Sequence, residues 1–153
     1  MHMFSALRTP IVIGKALLGG ETLVSRLDRR VRSTDCDFNR HLTNSMYPRY
    51  MDLGRWDLMI RCGALKQCFS ERFRPIVVEL NIRYLKELKY GTPFTLDTRF
   101  TEIDGKALVI EQHFLVDGVV HAKGVVRSLV VGSQGVTTPD AFAGFLVDPM
   151  GAD

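Results

Sequence analysis

The sequence predicts an α+β domain in which about five antiparallel strands curl around one long central helix. Three observations carry this. Apolar residues recur at helical spacing from Met46 to Ile60 and cover much of the circumference, the mark of a helix enclosed by other elements. After Pro75 the period changes to two and holds through Val131. The dipeptides Asp104-Gly105 and Asp117-Gly118 fall between these runs, and such turns join antiparallel neighbours.

Taken in order, Leu7 to Leu18 reads as a short outer helix that Gly19 and Gly20 end. Leu23, Leu27 and Val31 alternate with Val24, Arg26, Arg30 and Arg32, giving a first strand over Glu21 to Arg32. Asn44 or Ser45 caps the central helix, Pro48 sits in its first turn, and Gly63 stops it. Arg61 to Arg74 is an irregular link with room for a short helix, closed by Pro75. The next strand places Ile76, Val78, Leu80, Ile82 and Tyr84 on one face, with Val77, Glu79, Asn81 and Arg83 on the other. Lys89, Tyr90 and Gly91 turn the chain into a strand bearing Phe94, Leu96 and Phe100. Leu108, Ile110 and Phe114 line the strand after it, and Val119 to Val131 forms the last long one. These four strands are expected to form a meander, followed by a helical tail over Pro139 to Leu146. No repeat or linker divides the chain, so residues 1–153 are expected to form one domain, with an extension over 1–20 and a tail over 139–153.

Composition narrows the function. With 46% hydrophobic and 24% charged residues the chain supports a packed core, which excludes the disordered classes. A balance of +3 without a basic aromatic-rich run points away from nucleic acid. Cys36, Cys62 and Cys68 lack framework spacing, so a reducing, cytoplasmic setting is expected. The apolar run Pro10 to Leu18 is too short to span a bilayer, and Lys15 interrupts it. No zinc spacing, HExxH, GxSxG or P-loop is present, so neither a metal nor a cofactor is expected.

The chemistry concentrates in Asp35 to Arg55, DCDFNRHLTNSMYPRYMDLGR. Asp35, Asp37, Asn39, His41 and Asn44 crowd the approach to the helix, where a cap alone would be ordinary. The run Asp35-Cys36-Asp37, Asn39, His41, Asn44, Tyr47, Tyr50, Asp52 and Arg55 resembles the hotdog-fold acyl-CoA thioesterases of the 4-hydroxybenzoyl-CoA thioesterase type, whose pattern is roughly DxDxxxHxxNxxYxxYxxxxR. The resemblance implies the hotdog fold and hydrolysis of a fatty acyl or aryl-acyl thioester. It makes Asp37 the catalytic carboxylate, as nucleophile or as base toward water, and leaves that choice open. Asn39 and His41 match the D-x-N-x-H spacing of the similar plant-type acyl-carrier-protein thioesterases, which implies that they orient water or polarise the carbonyl. Backbone N–H groups near Asn44 and Ser45, at the positive end of the helix, are suited to the developing oxyanion.

Each residue also has a structural reading. Both aspartates and Asn44 can be caps, Asn39 a turn residue, His41 a satisfied structural histidine, Tyr47 and Tyr50 core, and Arg55 a surface partner of Asp52. Cys36 is not read as a nucleophile, since its two carboxylate neighbours raise the thiol pKa. Asp57 on the helix ranks below Asp37, Glu79 reads as exposed, and His113 and His121 read as surface or interface residues. Arg72, Arg74, Arg83, Lys86 and Lys89 form a basic group suited to a CoA tail, although solvated charge explains any one of them. A hotdog hydratase or dehydratase and a non-catalytic acyl-thioester binding module are the alternatives. A free sheet edge suits pairing with a second copy, as homodimer or homotetramer.

Overall fold

A computed structural model of the protein describes residues 24–138. Its elements are β1 (Val24–Arg30), α1 (Met46–Arg61), α2 (Ala64–Glu71), β2 (Arg74–Tyr84), β3 (Pro93–Asp104), β4 (Ala107–Val116), β5 (Val119–Gly132) and β6 (Gly135–Val136). A 3-10 turn over Ser33–Asp35 precedes α1. The outer helix expected over Leu7–Leu18, the start of the first strand and the tail over Pro139–Leu146 lie outside the described residues.

All described strands join one antiparallel sheet in the order β1-β3-β4-β5-β2, with β6 on β5. The meander is therefore three strands long, not four. β2 pairs with the far side of β5, and β3 pairs with β1. The link from Leu85 to Thr92 crosses the end of the sheet and is pinned to the segments around β1: Leu42 N donates to Leu88 O at 2.7 Å and Gly91 N to Val31 O at 2.9 Å. These contacts replace the hairpin that local alternation suggests.

The sheet's inner face carries Leu27, Phe94, Leu96, Phe100, Leu108, Ile110, Phe114 and Val126, and α1 lies across it on β1 and β3. The helix ends as expected: Gly63 takes φ +78°, and its N–H reaches Ile60 O at 3.2 Å. Its buried stripe is Tyr47, Tyr50, Met51, Gly54 and Leu58. Leu53, Trp56 and Ile60, expected to be enclosed, are exposed. The described sheet thus covers one face of α1.

Three local expectations change. The link after α1 holds the short helix it had room for, α2, but Pro75 does not close it: it lies inside β2, where an edge strand tolerates a missing N–H. In β2 a bulge at Val78 breaks the alternation, because Val77 opposes Ser128 and Glu79 opposes Arg127. Pro75 and Val77 then share the inner face with Leu80, Ile82 and Tyr84, while Ile76 turns outward. At the β3–β4 hairpin the two loop residues are Gly105 and Lys106, one step later than expected. Asp117-Gly118 forms its turn where expected, with φ of 49° and 77°.

Candidate active site

The segment before α1 folds back on itself. Cys36 bridges Leu42, Asp37 N donates to His41 O at 3.0 Å, Arg40 N donates to Asp37 O at 3.0 Å, and Arg40 adopts φ +63°. His41 then bridges Lys89 in the crossing link. A polar stretch of chain is thereby clamped between the mouth of α1 and the end of β2.

The two aspartates of the DxD pair take different roles. Asp35 is buried, and its carboxylate accepts the Tyr50 hydroxyl at 2.5 Å and Arg32 Nε at 3.4 Å. Its backbone carbonyl accepts Thr43 N at 2.9 Å. It anchors the segment to α1. Burial first, then the bond to Asp35, raises the Tyr50 phenol pKa. Asp37 is exposed, and its Oδ1 accepts Asn39 N at 3.0 Å and His41 N at 3.4 Å. That is the capping geometry, and it also fixes the direction of the carboxylate.

Asp37, His41 and Asn44 line one depression of about 300 Å³ with Tyr47, Tyr84 and Lys86. Asn39 and Ser45 are exposed and are not among its lining residues. Ser45 occupies the helix N-cap but makes no side-chain cap bond, so the expected capping role is not met by its hydroxyl. Among the described residues the N–H groups of Asn44 and Ser45 take no backbone acceptor, whereas those of Thr43 and Met46 bond to Asp35 O and Thr43 O. Two donors are thus left at the positive end of α1, that of Asn44 on a residue lining the depression.

His41 Nε2 lies 3.2 Å from Glu87 Oε2, and Glu87 O lies 3.1 Å from His121 Nδ1. Glu87 was not anticipated, because its position beside His41 depends on the crossing link. Cys36 is half-buried, and its thiol donates to Arg32 O at 3.3 Å. Its pKa is raised as expected, though burial outweighs the two carboxylates as the cause.

The basic group suggested for a CoA tail is divided. Lys86 lines the Asp37 depression, Arg83 and Lys89 lie near it, and Arg72 and Arg74 line a second cavity at the other end of β2. Nine residues of strand separate Arg74 from Arg83, about 30 Å. Arg55 does bond to Asp52, at 3.2 Å, but it is not a surface residue: its side chain is 13% exposed and donates to Gln112 Oε1 at 2.9 Å. Asp57 is held by Arg61 at 2.7 Å and by the Ser25 hydroxyl, which leaves it in a structural role. Glu79 is exposed as expected, near Arg127. His113 is half-buried rather than superficial, and its Nε2 has no partner among the described residues. Those residues contain no cluster of three potential metal ligands and no helix long and apolar enough to cross a membrane.

A single long helix laid on a curled antiparallel sheet is the hotdog architecture, and the matching family model makes it one of the thioesterase class. The model of the thioesterase-like superfamily matches residues 31–146, and the chain belongs to that family. It is 32% identical to Protein THEM6 of Danio rerio over 104 residues, 67% of this chain and 52% of that protein. It is 22% identical to the long-chain acyl-CoA thioesterase FadM of Escherichia coli K12 over 83 residues, 54% of this chain and 63% of that protein. The chain spans about half the length of the THEM6 relatives it matches. Among solved structures it is similar to YbaW, a probable thioesterase from Escherichia coli, with a TM-score of 0.72, 18% identity and coverage of 76% and 90% of the two chains. It is likewise similar to SAV2348 of Staphylococcus aureus, solved in complex with CoA, with a TM-score of 0.70, 18% identity and 82% of each chain covered.

Proposed function

We propose that the protein is an acyl-CoA thioesterase that hydrolyses a fatty acyl or aryl-acyl thioester to the free acid and CoA. The observation that carries this reading is the common depression of Asp37, His41 and Asn44 at the N-terminal end of α1. Asp37 is the catalytic carboxylate, acting as nucleophile or as base toward water, and His41 with Glu87 assists it. The carbonyl oxygen gains charge as the tetrahedral intermediate forms, and the N–H groups of Asn44 and Ser45 stabilise it. Collapse breaks the C–S bond and releases CoA as thiolate. Asn39 acts through the turn that orients Asp37.

Lys86 lines the Asp37 depression, Arg83 and Lys89 adjoin its lining residues in the chain, and these cations suit the anionic CoA tail; Arg74 is too distant to join them. The similarity to a protein solved with CoA supports CoA as the carrier, and that to FadM supports a fatty acyl group. Hydrolysis requires only water, so no cofactor enters the reading. Three unpaired cysteines favour a reducing, cytoplasmic setting. The edge strand β2 exposes Ile76, Val78, Leu80 and Tyr84, which supports a homodimer or homotetramer built on that edge.

The test is thiol release from a panel of acyl-CoAs. Asp37→Asn keeps a side chain able to cap Asn39 N and His41 N, so it is expected to fold while losing roughly 100-fold or more in kcat. A folded Asp37→Asn with full activity would refute the assignment. Loss of enoyl absorbance without thiol release would replace hydrolysis by hydration.

A further inference from the structure

The hydrophobic core is divided. One cluster gathers Tyr47, Met51, Leu96 and Phe114, and the other gathers Cys62, Phe100, Leu108 and Val130. Thr98 and Gln112, on the inner faces of β3 and β4, are fully buried in a polar layer beside α1. Gln112 Nε2 donates to Met51 O and to Thr98 Oγ1, both at 2.8 Å, and its Oε1 accepts Arg55 Nη1 at 2.9 Å. Asp52 Oδ1 accepts Nη2 at 3.2 Å. An apolar layer would pack here without desolvating three polar side chains, those of Thr98, Gln112 and Arg55. The arrangement aims one guanidinium.

Arg55 lines a cavity of about 640 Å³ between α1, α2 and the inner faces of β2, β4 and β5, with walls that include Trp56, Met59, Phe69, Phe73 and Leu108. A guanidinium carries five N–H donors. Two of Arg55's have acceptors among the described residues, and the others remain for the cavity. An alkyl chain drawn past them displaces water and strands donors, whereas an oxygen on that chain takes the water's place.

We infer that Arg55 is a specificity-determining residue of the acyl site and selects acyl chains that carry a hydroxyl well beyond the thioester. The inference rests on the proposed acyl-CoA hydrolysis and names its substrate class. Ten residues separate Arg55 from Ser45, so its Cα lies about 15 Å along the axis from the helix mouth. Its side chain leans back about one turn, roughly 5 Å, toward that mouth. An extended chain advances about 1.2 Å per bond, so the carbon that bears the hydroxyl belongs roughly eight or nine bonds from the reacting carbonyl.

The probes are 10-hydroxydecanoyl-CoA, decanoyl-CoA and 3-hydroxydecanoyl-CoA, the last with its hydroxyl too near the thioester. The wild-type protein is expected to favour the first by about tenfold or more in kcat/KM. In Arg55→Lys, which keeps the charge but loses the planar fork, the ratio is expected to fall close to one. A wild-type ratio near one overturns the inference while leaving the thioesterase reading intact. Calorimetric titration of the wild-type protein with 10-hydroxydecanoic and decanoic acids supplies an arm free of turnover. A preference of about tenfold there without hydrolysis of any acyl-CoA refutes the thioesterase reading and keeps the site. Equal affinities overturn the site.

Discussion

Gly54→Ala tests the polar layer directly. On an open helix this change stabilises by about 1 kcal/mol, because glycine loses more backbone entropy on folding. Here a Cβ at position 54 would meet Thr98 Oγ1 in a clash and would lie 2.9 Å from Gln112 Nε2 and 3.1 Å from Leu96 Cδ2. Thr98 and Gln112 are both fully buried, so neither can swing into solvent. Overpacking a core costs about 1–3 kcal/mol, and displacing Gln112 weakens bonds worth about 1 kcal/mol each. The expected net effect is a destabilisation of about 2 kcal/mol, read as a lower urea midpoint at unchanged m, with Tm lower by roughly 4–8 °C. Gly124→Ala is the comparison: its Cβ would meet the end of Met51, a flexible thioether that can move aside, so a smaller loss is expected. If Gly54→Ala instead raised stability by about the helix-propensity amount, the close packing of α1 on this layer would be refuted.

Two predictions concern pH. Burial is the largest influence lowering the His113 pKa, with Lys123 and Arg99 adding to it and Glu111 and Asp97 opposing. A base whose folded pKa is depressed contributes stability present above its ordinary value of 6.5 and lost as pH falls toward the folded value. The urea midpoint should therefore drop on acidification below that value, and His113→Leu should flatten the drop; an unchanged slope would refute the burial argument. Tyr47 is pushed up to about 12, chiefly by burial and secondarily by Tyr84. Its contribution is whole below about 10 and lost as pH rises through the folded value, by about 2–3 kcal/mol over the interval. Tyr47→Phe should lose less stability than wild type across that window, and parallel curves would show that the phenol does not titrate as described.

The motif and the local geometry were legible together wherever one stretch of chain decided the outcome. Gly63 had to follow α1 because its left-handed φ closes the helix, and Asp117-Gly118 had to turn because both residues accept positive φ. Phe94, Leu96 and Phe100 on β3, with Leu108, Ile110 and Phe114 on β4, alternate at period two and do face the core. The segment from Asp35 to Asn44 marked the candidate site because polar residues there exceed what a cap needs.

The alternation in β2 misled because it was continuous on paper. A bulge costs nothing in the sequence pattern and inverts every side chain beyond it. The roles of Asp35 and Asp37 were likewise inseparable by spacing, since the Tyr50 hydroxyl, fifteen residues on, tells the buried anchor from the exposed carboxylate. Arg74 was grouped with Lys86 by nearness in the chain, although an extended strand carries them to opposite ends.

The sequence by itself therefore determined the central helix, the strands, the core rows of β3 and β4 and the stretch proposed to hold the chemistry, all consequences of 3.6- and 2-residue periods and of turn residues acting on their neighbours. Tertiary structure decided the strand order, the pairing of His41 with Glu87 and the burial of Arg55 against Gln112. Each of these depends on which distant segments meet when the crossing link passes over the end of the sheet, and local periodicity does not encode that meeting.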